Sequence, residues 1–120
     1  MRTICIDFDG VIHSYVTGWH GVDVIIDDPV DGAIEWLRRV ISEPDISACI
    51  YSSRSKEKKG IDAMQIWLLK NGLSEYELDG LSFPTQKPPA FLTIDDRAIC
   101  FKGKFPTVKQ MIGFKPWNKK

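Results

Sequence analysis

The stretch Arg2–His13, RTICIDFDGVIH, runs an apolar segment into two aspartates, Asp7 and Asp9, one residue apart and followed directly by Gly10. An Ile-rich run of this length bounded by glycine reads as a strand buried in a parallel sheet, with its first charges at its C-terminal tip. Open α/β sheets bind ligands outside that edge. Asp7 and Asp9 are therefore the first candidate functional residues. Phe8 between them is expected to point the opposite way, into the core, and Gly10 to permit a sharp exit from the strand.

Working outward, strand and helix patterns alternate. Residues 27–43, DDPVDGAIEWLRRVISE, place Ala33, Ile34, Leu37 and Ile41 at helical spacing, with Asp28 as cap and Pro29 in the first turn. Residues 46–53, ISACIYSS, read as a second strand; residues 59–72, KGIDAMQIWLLKNG, repeat the helical pattern through Ile61, Met64 and Leu68 and stop at Gly72. A short third strand is expected in ELDGLSF, 77–83, and a fourth in AFLTIDD, 90–96, which again ends in paired acids. AICFKG, 98–103, is expected to add an edge strand and PTVKQMIG, 106–113, a closing helix. Residues 14–27, with β-branched and aromatic residues around Gly18 and Gly21, form either a hairpin flap or an irregular loop. Interleaved strands and helices imply βαβ crossovers, hence a three-layer Rossmann-like α/β domain with a mainly parallel central sheet covered on both faces.

At 120 residues, 43% of them hydrophobic, the chain fits one globular domain, residues 1–120. Lys plus Arg and Asp plus Glu both number 16, so no global basic field favours nucleic acid or membrane. The basic KPWNKK, 115–120, reads as a solvated end. No apolar segment approaches the roughly 20 residues that cross a bilayer, and MRTICIDFDG has acids where a signal peptide needs an unbroken apolar stretch, so a cytoplasmic, membrane-free protein is expected. Cys5, Cys49 and Cys100 are odd in number, lack metal-ligand spacing and sit in apolar runs, which suits buried, reduced thiols.

The polar residues that end the strands are Asp7 and Asp9 after the first, Ser52 and Ser53 after the second, and Asp95 and Asp96 after the fourth, with Lys87 just upstream. They are expected to converge on one sheet edge. The four stretches DFDGV, YSSR, QKPPA and IDDR, in this order, resemble the motifs of the haloacid dehalogenase superfamily of phosphohydrolases, and the resemblance spans Ile4 to about Arg97. It implies a Mg²⁺-dependent phosphatase in which Asp7 attacks the phosphate of a monoester. Asp9 would act as general acid and base. Lys87 would neutralise charge, and Ser52, Ser53, Gly10 and Arg54 would hold the phosphate. Mg²⁺ would be bound by the Asp7 side chain, the Asp9 carbonyl, and one of Asp95 and Asp96. The metal is needed because Asp7, Asp95, Asp96 and a phosphate together carry about five negative charges.

Taken singly, each residue has a plainer explanation: Asp9-Gly10 as a turn, Ser52 and Ser53 as a helix cap, Lys87 as a surface charge, Asp95-Asp96 as a loop start. Taken together, two acidic pairs ending two core strands cost stability unless a cation joins them. Arg54 and Arg97 are open to phosphate contact or to pairing with the acids. His13 and His20 are read as packing or solvent-facing, and Tyr15 and Trp19 either touch substrate or cover the core. A phospho-receiver domain is an alternative, but it places its acidic pair first, a lone Asp mid-chain and its lysine last. A catalytically silent Rossmann-like binding module is the other. Too few residues separate the motifs for a cap domain. The expected substrate is therefore a phosphorylated molecule, nucleotide or polynucleotide ends among them, with either a macromolecular substrate or a second subunit acting as lid.

Overall fold

In the computed structural model, which describes residues 1–118, strands β1 (Arg2–Ile6), β2 (Ile46–Ile50), β3 (Leu81–Ser82) and β4 (Leu92–Ile94) form one sheet in the order β3-β2-β1-β4. Every pairing is parallel. The arrangement is three-layered and Rossmann-like, and no cap interrupts it among the described residues. The chain leaves β1 toward β2 and returns on its other side as β4, which opens a crevice at the carboxyl ends of these two neighbours.

Register decides which residues face which layer. Ile4 pairs with Ala48 and Ile6 with Ile50, so these four share one face. Onto it pack Leu37 and Val40 of α1 (Ala33–Ser42) and Met64, Trp67 and Leu68 of α2 (Lys58–Lys70), at the three- and four-residue spacings of one helical stripe. Phe8 is fully buried here, edge-on to Trp67 at 5.2 Å, as expected from alternation. Each such apolar side chain contributes roughly 1.5–3 kcal/mol. The opposite face carries smaller groups in register, Cys5, Cys49, Ser82 and Thr93. The β3–β4 connection crosses near it, bringing Lys87 into a cleft with Cys5 and Thr93.

Several expectations are corrected. Helix α1 begins at Ala33, not at Pro29, because the backbone at 28–30 pairs with that at 12–14: Ser14 N–H donates to Asp28 O and Val30 N–H to Ile12 O. AICFKG forms no strand; Arg97 N–H bonds to the Asp95 carboxylate at 2.9 Å and turns the chain away from β4. Cys100 is exposed, whereas Cys5 and Cys49 are buried. A short α3 (Glu75–Asp79), capped reciprocally by Ser74 and Glu77, was not expected. The closing helix is present as α4 (Val108–Ile112). No described helix is long and apolar enough to cross a membrane.

Candidate active site

The parallel ladder continues past the strand ends. Asp7 N–H donates to Ile94 O at 2.9 Å and Tyr51 N–H to Ile6 O at 3.1 Å, which brings Asp7, Ser52 and Asp95 to one edge. A cleft of about 160 Å³ is lined there by Asp7, Ser52, Ser53, Lys87 and Asp95, together with Cys5, Tyr51 and Thr93. At about 30 Å³ per water, it has room for a phosphoryl group or a few waters.

Carboxylate oxygens of Asp7, Asp95 and Asp96 lie within 4.8 Å of one another. This proximity has an electrostatic consequence. Burial, a side-chain hydrogen bond with Asp96 and the Asp95 charge together push the Asp7 carboxyl up to about 8, against a smaller opposing effect of the Phe8 N–H. An all-carboxylate oxygen set suits a hard cation such as Mg²⁺, which would remove this repulsion. Gly10 adjoins the same group. At φ 85° it occupies the left-handed region, and a Cβ there would stand 2.1 Å from Asp96 Oδ2.

Asp9 turns elsewhere. Arg54 Nε donates to its Oδ2 at 3.0 Å and its Oδ1 at 3.2 Å, and His13 Nδ1 lies 2.9 Å from Oδ1. The Asp27 N–H points at His13 Nε2 from 3.2 Å, which makes that nitrogen the acceptor and Nδ1–H the donor to Asp9. Arg54, with a solvent exposure of 0%, also donates through Nη1 to the carbonyls of Gly21 and Val22, and Trp19 stacks on it at 4.6 Å. Of the two roles open to Arg54, the geometry supplies the pairing with an acid. Arg97 likewise approaches Asp96, at 4.0 Å.

Residues 14–27 are an irregular loop tied to the core. Thr17 N–H and Oγ1 both donate to the Asp27 carboxylate, and Trp67 Nε1 donates to Asp27 O. Burial pulls the Asp27 carboxyl up, but the hydrogen bonds from the Thr17 N–H and hydroxyl oppose it, and the carboxyl lies below the usual range. His13 is buried and His20 exposed.

Ser52 is buried and caps a short 3₁₀ helix, Ser53–Lys56, accepting from Arg54 N–H at 3.1 Å, while its own hydroxyl donates to Met64 Sδ at 3.6 Å. Ser53 is exposed in the cleft, and so is Lys87, which enters no ion pair among the described residues. No sequence pattern marks the Asp9–His13–Asp27 chain, since Asp27 lies on a loop with no motif around it. Thr93 could have been found by counting two residues back from Asp95.

No protein-family model, no curated protein and no solved structure matches the chain. Fold and site therefore define its class from their own geometry: a Rossmann-like α/β domain with an acidic cluster at the carboxyl edge of its sheet.

Proposed function

We propose that this protein is a Mg²⁺-dependent phosphohydrolase of the haloacid dehalogenase type, cleaving phosphate monoesters through an aspartyl-phosphate on Asp7. The observation that carries the reading is the juxtaposition of Asp7, Asp95 and Asp96 within 4.8 Å, beside a cleft that also holds Lys87, Ser52 and Ser53. Mg²⁺, held by Asp7 and one of Asp95 and Asp96, with the Asp9 carbonyl expected from the family resemblance, would neutralise the carboxylates and the phosphate.

An Asp7 oxygen attacks phosphorus, the ester P–O bond breaks, and the leaving alkoxide takes a proton from Asp9. Asp9 then accepts a proton from the water that attacks the phosphoryl group, releasing phosphate and restoring Asp7. Arg54 and His13 hold the Asp9 carboxylate outside the cleft, so both transfers require it to turn from these donors toward the phosphate. Lys87 supplies positive charge toward the phosphate, and Ser53 presents its polar groups to it. The order of the residues along the chain favours this over a receiver domain, as does the lysine's place before the second acidic pair.

The test is hydrolysis of p-nitrophenyl phosphate with Mg²⁺, with chelator, and by Asp7→Asn. Turnover that needs both the ion and Asp7 is expected; a folded Asp7→Asn protein retaining most activity overturns the mechanism.

A further inference from the structure

The charge of this chain is balanced only in total. Residues 97–120 hold seven lysines and arginines and no aspartate or glutamate, so the first 96 residues carry nine basic residues against all 16 acidic ones. Aromatic side chains are interleaved with those cations and face outward. Phe101 is 56% exposed, Phe105 83% and Trp117 59%, with Phe101 and Phe105 in contact at 4.9 Å. Among the described residues, Lys102, Lys104, Lys109 and Lys115 enter no ion pair.

This arm is joined to the candidate site. Trp117 Nε1 donates to Gly10 O at 2.8 Å, Asn118 Nδ2 donates to Ser14 O at 3.0 Å, and Arg97 approaches Asp96. Between its two ends lies an apolar groove of about 360 Å³, lined by Arg97, Phe101, Met111 and Phe114 among others. The chain exposes 7954 Å², about 1,400 Å² more than a folded monomer of its mass is expected to show. That surplus exceeds the roughly 800 Å² that each partner of a standard interface covers.

We infer that the arm is a binding track for single-stranded nucleic acid that leads a phosphorylated strand end to Asp7, which rests on the phosphohydrolase reading and names its substrate class. Unpaired cations attract a phosphate backbone, and exposed rings between them offer stacking faces to bases whatever their sequence. A second copy docking arm to arm would set like charges against one another, so charge favours the polyanion.

The probe is a 5′- or 3′-phosphorylated oligothymidylate, and its oligouridylate counterpart, labelled at the opposite end and titrated by fluorescence anisotropy with full-length Asp7→Asn. Binding that falls with salt is expected, its log–log slope near −0.7 for each phosphate contacted. Lys102→Gln with Lys104→Gln should weaken it about tenfold and flatten the slope by about 1.4, whereas the two arginine replacements should preserve it. Phe105→Ala should cost about fivefold or more, the lower end of the stacking range. Hydrolysis of p-nitrophenyl phosphate by these arm variants in the wild-type background should stay unchanged, because so small an ester does not reach the arm. Absence of binding at low salt overturns the inference, as does binding indifferent to the arm substitutions. So does a dimer in sedimentation that Phe105→Ala dissociates while oligonucleotide affinity is unaltered. Oligonucleotide binding without hydrolysis of any ester would leave the track standing and refute the phosphohydrolase reading alone.

Discussion

Asp7 is held at a cost that its environment makes measurable. Its carboxyl is raised from an ordinary value near 3.8 to about 8, so between these pH values the folded protein binds more protons than the unfolded one. Stability without metal should therefore fall as pH rises from about 4 to about 8, in contrast to an ion-paired aspartate, which gains over the same direction. Thermal melts in chelator should show this decline. Asp7→Asn should flatten it and melt higher than wild type near pH 8, and Mg²⁺ should raise the wild-type melting temperature more at pH 8 than at pH 5. A decline that persists undiminished in Asp7→Asn would place its origin elsewhere.

Thiols give a second check on single residues. Burial, with Cys5 beside it, pushes the Cys49 thiol up to about 12, and both Cys5 and Cys49 are buried between strands. Cys100 is exposed. The native protein should therefore titrate with one equivalent of a maleimide or disulfide reagent, and the denatured protein with three. Mass spectrometry of the native adduct should find the label on Cys100.

Among the elements, the loop 14–27 depends on one buried cation. Arg54 joins Asp9 to the carbonyls of Gly21 and Val22, so replacing it leaves Asp9 without its cation, with only the His13 N–H as donor, and two carbonyls without theirs. Arg54→Met should cost about 3–5 kcal/mol, the range for removing one partner of a buried pair. Adding Asp9→Asn should recover part of that loss, because the uncompensated charge is gone. A denaturant-melt cycle over the four proteins reads this directly, and strict additivity would mean that the pair is not coupled. Gly60, in the first turn of α2, adjoins the same unit: a Cβ there would stand 2.1 Å from Arg54 O. Gly60→Ala should thus destabilise, against the usual gain from alanine in a helix.

For the molecule as a whole, the absence of a cap among the described residues leaves the cleft open to solvent at the sheet edge. An open site excludes water poorly and gains little from enclosing a small ester. Catalytic efficiency should therefore be lowest on small phosphate esters and rise with substrates large enough to cover the cleft. Steady-state comparison of p-nitrophenyl phosphate with phosphorylated oligonucleotides decides the matter. A monomer most efficient on the smallest ester would contradict it.

Strand positions and the strand-end residues were legible because local rules govern them, whereas the order β3-β2-β1-β4 came only from the tertiary structure. Period-two alternation buried Phe8 and turned Asp7 away from it, and the parallel ladder then carried Asp7, Ser52 and Asp95 to a common edge. Elements whose form depends on distant partners were not legible. Pro29 looks like a first helical turn in isolation, yet its backbone is engaged by residues 12–14 from another part of the chain. AICFKG has the composition of a strand but meets no neighbour, and a strand without a partner leaves its ladder groups unpaired. Asp9 shows the division most clearly. Its place after β1 follows from its own neighbours in sequence, whereas its orientation toward Arg54 and His13 needs a residue 45 positions away. Hydrogen bonds of that reach form only once packing has closed the chain, and no local pattern encodes them.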